Sequence, residues 1–151
     1  MNQITWDNVM SLSVIVLYLV PWIRYVQTKH SSELKPFWGL IGTVALNESI
    51  KHVVIGKASP RPACASDCNL WVNDGPQGGR PGMPSGHSAQ VSFFTGYYLQ
   101  TLTSAPLRLF LVFYAILVMF SRYTKSCHTI PQILSGSILG FMMSYLAVRH
   151  L

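Results

Sequence analysis

Apolar residues gather into five stretches along the chain, near positions 9–27, 36–56, 87–104, 106–121 and 131–148. The measure for each is a lipid bilayer, whose hydrocarbon core of about 30 Å takes roughly 17–25 helical residues to cross. The stretches at 87–104 and 106–121 are short or carry hydroxyls, and either alone would also suit a buried helix of a soluble protein. Five in succession argue against that reading. They predict an all-α, polytopic bundle of about five transmembrane helices, folded as a single domain over 1–151.

Composition strengthens the membrane reading, because half of the 151 residues are hydrophobic and only 11% are charged. Met1–Asn8 has no basic residue of the kind that opens a cleavable signal peptide, so the first apolar stretch is expected to stay in the bilayer. The polar remainder is concentrated in loop 57–86, where Gly75-Pro76, Gly78-Gly79 and Pro81-Gly82 punctuate the chain with turns that no helix would accept. Cys64 and Cys68 lie in this loop at a spacing that suits either a small disulfide or two free thiols. Cys127 stands apart beside His128, and three cysteines without a second Cys/His pair give no zinc framework.

The formal charge of +6 comes from eleven Lys and Arg scattered between spans, which does not form the basic stripe of a nucleic-acid-binding surface. Arg24, Lys29, Lys35, Arg108 and Arg149 fall on one side if five helices alternate, and that side should be cytoplasmic. Loop 57–86 and the connection 122–130 then share the lumenal or extracellular side, in the endoplasmic reticulum or the cell membrane.

Three polar clusters interrupt the apolar chain, each at the end of a predicted span on that same face. The first runs from Asn47, Glu48 and Lys51 to Arg61-Pro62. Ionisable groups within a span need a partner or a function, and Glu48 and Lys51 share a helix face, so they suit either an ion pair between helices or, for Lys51, an anion site. The second, Pro84-Ser85-Gly86-His87, opens the third span. Free amides at a helix N-terminus, with Gly86 allowing close approach, suit a phosphate, whereas a plain cap by Ser85 beside a bystander His87 is the simpler alternative. In the third, Ser121-Arg122 followed by His128, a planar guanidinium and an imidazole stand five residues apart.

The order Lys…Arg-Pro, then Pro-Ser-Gly-His, then Ser-Arg-x5-His resembles the signature of the type 2 phosphatidic acid phosphatase (PAP2) and vanadium haloperoxidase superfamily over residues 47–140. The resemblance implies a helical bundle bearing a metal-independent phosphatase without a cofactor. In it His128 is the nucleophile and His87 the acid, while Lys51, Arg61, Arg122 and the Ser85–Gly86 backbone hold the phosphoryl oxygens. Family members typically have six spans, so five would imply a missing N-terminal helix, compensated by a homo-oligomer or by lipid.

Two departures from the family pattern are visible. Nine residues separate Lys51 from Arg61-Pro62 where the pattern has six, leaving Lys57, with three between, as the alternative lysine; Arg80-Pro81 is read as a loop decoy. Gln132 occupies the position of the carboxylate that orients the nucleophile. Glutamine can accept from a ring N–H but cannot stabilise an imidazolium as an anion would. Lys51-His52-Val53-Val54, Gly82-Met83-Pro84-Ser85 and His128-Thr129-x-x-Gln132 resemble dolichyl diphosphatases, which implies an isoprenyl diphosphate substrate presented from the bilayer. Phosphatidic acid and phosphatidylglycerophosphate fit the same geometry. Two other classes stay open: a noncatalytic lipid-phosphate binder or scaffold, suggested by Gln132 and the altered lysine spacing, and a haem or ion-conducting protein using His52, His87 or His128.

Overall fold

The computed structural model describes residues 5–151; Met1–Ile4, part of the N-terminal stretch without basic residues, lie outside them. Five helical stretches occupy the five apolar ones. Thr5 caps α1 (Trp6–Ser13) by accepting from the Asn8 amide, and after a tight turn at Val14 and Ile15 the chain continues as α2 (Val16–Thr28). Lys29 ends α2 in the left-handed region at φ 59. A 3-10 turn, Ser31–Leu34, leads into α3 (Lys35–Ser49), whose Pro36 sits in the first turn, where a missing N–H removes no helical bond.

The α3 helix continues as six residues of π-helix, Ile50–Ile55, and Gly56 breaks it at φ 51. After loop 59–85 come α4 (Gly86–Thr101), α5 (Ala105–Thr124) and α6 (Ile130–His150). Among the described residues there is no strand, only two isolated bridges within the loop, Pro60 with Pro81 and Ser66 with Pro76.

Helix α4 is the axle of the bundle. Most of its residues from His87 to Tyr98 are buried, and it packs on α3, α5 and, most extensively, α6. Close approach explains the α4–α6 seam: a Cβ at Gly136 would run into the Ser85 carbonyl, and one at Gly140 into the Ala89 carbonyl. Small residues that let backbones meet are the usual device where lipid removes the hydrophobic drive between helices. Serine and threonine (Ser88, Ser92, Thr95) fill α4's buried face beside Phe93 and Phe94, so apolar residues do not define one stripe along it.

The outer helices turn large apolar side chains outward, among them Phe110, Phe113 and Phe120 of α5 and Ile138, Met142 and Tyr145 of α6. An apolar surface of that extent marks contact with lipid. Three helical segments, Trp6–Thr28, Ala105–Thr124 and Ile130–His150, are long and apolar enough to cross a membrane. The chain is a membrane protein built as an all-helical bundle.

One cysteine expectation is corrected. Cys68 pairs with Cys127, 59 residues away, with Cα atoms 5.6 Å apart, while Cys64 is a free, exposed thiol. Cys64 and Cys68 are therefore neither bonded to each other nor both free. Folding the loop over the bundle brings Cys68 to the connection before α6, a long-range closure that local spacing does not encode.

Candidate functional site

The connection between α5 and α6 is closed on itself. Both the Cys127 and His128 amides donate to the Arg122 carbonyl, at 3.0 and 3.2 Å, so the turn places His128 beside Arg122. Thr129 then starts α6 with a reciprocal cap: its side chain accepts from the Gln132 amide, and its own amide donates to Gln132 Oε1 at 3.1 Å.

That cap fixes the chemistry of His128. Gln132 Nε2 donates to the Pro60 carbonyl at 2.8 Å and to Ser59 Oγ at 3.1 Å, so the amide orientation is set and Oε1 faces His128 Nδ1 at 3.2 Å. Since Oε1 can only accept, the proton must lie on Nδ1, and the lone pair is on Nε2. Burial, reinforced by the Arg61, Arg122 and Lys51 cations, holds His128 well below the ordinary histidine value, with Gln132 pulling the other way. The ring is neutral at physiological pH, the state a nucleophile requires.

Arg122 is fully buried. Its guanidinium is held from two sides: Nη1 donates to Ser11 Oγ of α1, and Nη2 to the Cys68 carbonyl at 2.7 Å. Cys68 is in turn bonded to Cys127, the residue before His128. Among the described residues Arg122 Nε has no partner, and neither has the buried Nε2 of His87. Arg61 reaches in from the loop, where Nη1 donates to Gln77 Oε1 and its main chain pairs with that of Arg80.

At the start of α4, Ser85 is buried, donates its amide to the Gln132 carbonyl at 2.9 Å, and accepts at Oγ from Ser88 Oγ at 3.0 Å. Ser85 makes no side-chain cap, and among the described residues the Gly86, His87 and Ser88 amides have no hydrogen-bond partner. Over Gly86 lie Lys51, whose Nζ is 3.8 Å from where a Cβ would stand, and Glu48, which pairs with Lys51 and sits 3.2 Å from His52.

The structure thus brings Lys51, Arg61, His87, Arg122 and His128 to one region, close enough that the charges of the other four act on His87. Ser85, Gly86 and Gln132 adjoin them. Lys57 and Arg80 are exposed, whereas Lys51 is buried. The extra residues between Lys51 and Arg61 are taken up by the π-helix and the 3-10 turn Gly56–Ala58. Three anchors were not visible as site residues in the sequence: Ser11, Gln77 and the Cys68 carbonyl. No local motif marks them, because each acts on an arginine at long range along the chain.

Buried cationic donors, unfilled amides at a helix N-terminus and two histidines are groups of the kind that suit a tetrahedral oxyanion. The family model of the PAP2 superfamily matches residues 32–151, which include every residue of this cluster. The chain belongs to the PAP2 superfamily. No curated protein and no solved structure gives a match. Membership of PAP2 carries phosphatase activity on phosphate esters, and the PAP2 match runs from the turn before α3 through all of α6. In this PAP2 chain a cavity of about 490 Å³ opens beside His128, between Tyr123 at the end of α5 and Ile130 and Pro131 at the start of α6.

Proposed function

We propose that this PAP2 protein is a multi-pass membrane phosphatase that cleaves a lipid-linked phosphate or diphosphate through a phosphohistidine at His128. The observation that carries the reading is a set of polar groups without hydrogen-bond partners among the described residues: Arg122 Nε, His87 Nε2 and the three first amides of α4. Buried donors left unpaired are costly, and an oxyanion satisfies them together.

In the first step His128 Nε2 attacks phosphorus, the bond from phosphorus to the bridging oxygen breaks, and His87, entering the step as the imidazolium, gives a proton to that oxygen and becomes neutral as the lipid leaves. Lys51, Arg61, Arg122 and the Ser85–Gly86 backbone hold the equatorial oxygens, where charge is greatest in the transition state. The phosphorylated ring is cationic, and Gln132 Oε1 stabilises its Nδ1–H. In the second step water attacks phosphorus, His87 takes the water's proton, and His128 is released with phosphate. No metal takes part in this scheme.

An amphiphile is the natural substrate, because the cavity beside His128 is flanked by exposed Tyr123 and Ile130, which meet lipid as readily as water. The likeness of residues 51–54, 82–85 and 128–132 to dolichyl diphosphatases favours an isoprenyl diphosphate over phosphatidic acid or phosphatidylglycerophosphate. Arg24, Lys35 and Arg149 stand at helix ends opposite His128, which supports a lumenal or extracellular active face.

The test is phosphate release from these three lipids by purified protein in EDTA, beside His128→Ala. Release that is lost in the variant supports the reading, and the panel names the lipid. Gln132 in place of a carboxylate favours one rival, a binder that retains lipid phosphate without turnover. Saturable binding of the lipids by folded protein, with no release from any of them, would establish that rival.

A further inference from the structure

At the end of the bundle away from His128, a cavity of about 340 Å³ lies among Arg24, Ser32, Lys35, Tyr97 and Tyr98. It shares Arg24, Tyr98 and Leu102 with a second cavity of about 210 Å³, lined further by Val20, Phe94 and Phe110. That one shares Val20, Phe94, Phe110 and Leu111 with a third, of about 170 Å³, which reaches Ser13 and Tyr114. The second and third form an apolar groove between α2 and α5, floored by α4; the first, polar one adjoins it at Arg24, Tyr98 and Leu102 and lies among the ends of α2, α3, α4 and α6.

Its dimensions and charge fit one class of ligand. From Val16 to Arg24 the groove follows α2 over a rise of eight residues, about 12 Å at 1.5 Å per residue, which fits within one leaflet, half of a hydrocarbon core of about 30 Å. At the polar end Arg24 is already committed to Glu33 through two hydrogen bonds of 2.6 and 3.1 Å. Lys35 makes no ion pair or side-chain hydrogen bond among the described residues, so the cavity keeps a cation in excess. Tyr98, only 6% exposed, lines both the polar cavity and the first apolar one, and its hydroxyl has no partner among the described residues.

We propose that this groove, with the polar cavity adjoining it, binds one anionic phospholipid of the leaflet opposite the catalytic end. One acyl chain lies between α2 and α5, and the phosphate rests against Lys35, with Ser32 and the Tyr97 hydroxyl as neutral donors. The lipid fills space between α2 and α5 that the protein's own side chains leave open, and it does so without touching the cluster around His128.

The experiment is native mass spectrometry of the purified protein in mild detergent, titrated with phosphatidylglycerol or with phosphatidylcholine of the same chains. One saturable phosphatidylglycerol is expected, bound more tightly than phosphatidylcholine. Lys35→Ala should weaken phosphatidylglycerol about fivefold, as loss of ~1 kcal/mol of attraction to an anionic headgroup implies, and leave phosphatidylcholine unchanged. Leu111→Trp, which fills the apolar part, should weaken both; Val20→Phe serves the same purpose if the tryptophan variant is not monodisperse. Equal binding of the two lipids, a series of adducts without saturation, or indifference to both substitutions would each overturn the proposal and mark annular lipid only.

Discussion

Replacing Gln132 with glutamate separates the two jobs of this side chain. Gln132 is 1% exposed and makes hydrogen bonds through both ends of its amide. Glutamate keeps the length and an oxygen facing His128 Nδ1 and the Thr129 amide, but loses the donor that serves Pro60 at 2.8 Å and Ser59 Oγ at 3.1 Å. Two hydrogen bonds at about 0.5–1.5 kcal/mol each amount to a loss of ~1–3 kcal/mol, and a carboxylate oxygen facing the Pro60 carbonyl adds to it. At roughly 2–4 °C per kcal/mol for a chain of this size, the unfolding midpoint in detergent should fall by several degrees. The other end acts in the opposite sense. A carboxylate 3.2 Å from Nδ1 favours the imidazolium, and an opposite charge at such range moves a pKa by about 1–3 units, here upward. Wild-type His128 sits well below the ordinary value and stays neutral into the acid range. In Gln132→Glu the acid limb of phosphate release against pH should therefore move up by about 1–3 units. The assay is a pH–rate profile beside thermal unfolding in the same detergent. An acid limb that does not move, with an unchanged midpoint, would refute the assignment of Gln132 as the group that fixes the proton on Nδ1 and ties the nucleophile to the loop.

Four further outcomes are expected. Ser11→Ala removes the acceptor for Arg122 Nη1; a hydrogen bond to a buried charge is worth about 1.5–3 kcal/mol, so thermal stability should drop and orthovanadate should inhibit more weakly, whereas a stability loss with unaltered inhibition would make Ser11 merely structural. Cys127→Ser, or reduction, frees the loop that presents the Cys68 carbonyl to Arg122; activity should fall and limited proteolysis should cut within 59–85, which intact loop and full turnover would contradict. Glu48→Gln removes the carboxylate that lies beside Lys51 over the α4 N-terminus; orthovanadate should bind about fivefold to tenfold more tightly, on a like-charge repulsion partly screened by water, and weaker binding would instead make Glu48 the group that positions Lys51. Finally, the buried His128 stays neutral below 6.5 while the unfolded chain takes up a proton there, so stability is lost as pH falls from that value toward the folded one; the acid loss of unfolding midpoint should be smaller in His128→Ala.

The helices were legible because membrane spans leave the plainest of signals, long apolar runs. The stretch 36–56 became α3 with its π-helical extension, and 131–148 became α6 within two residues at either end. The polar clusters were legible for the complementary reason, that charge and histidine within such runs are conspicuous. What stayed hidden depends on contacts distant in sequence. The pairing of Cys68 with Cys127 requires the loop to cross the bundle, and Ser11 meets Arg122 across 111 positions. Gln132 was readable as a partner of His128 four residues earlier on the same turn, but not as the donor to Ser59 and Pro60, which lie more than seventy positions earlier in the chain. The central place of α4 was likewise obscured, since serines and threonines on its buried face blur the apolar pattern that would mark a core helix.

The match to the PAP2 superfamily begins at residue 32, whereas the serine that clamps the buried arginine is residue 11. Similarity and machinery therefore have different borders. A chain trimmed to 32–151 would keep every recognisable motif and still lack one of the two groups that hold Arg122, leaving its Nη1 in the interior without the Ser11 acceptor. A surveyor who scores such fragments by motif alone would count a working phosphatase where the first helix, with no motif of its own, decides whether Arg122 points the right way.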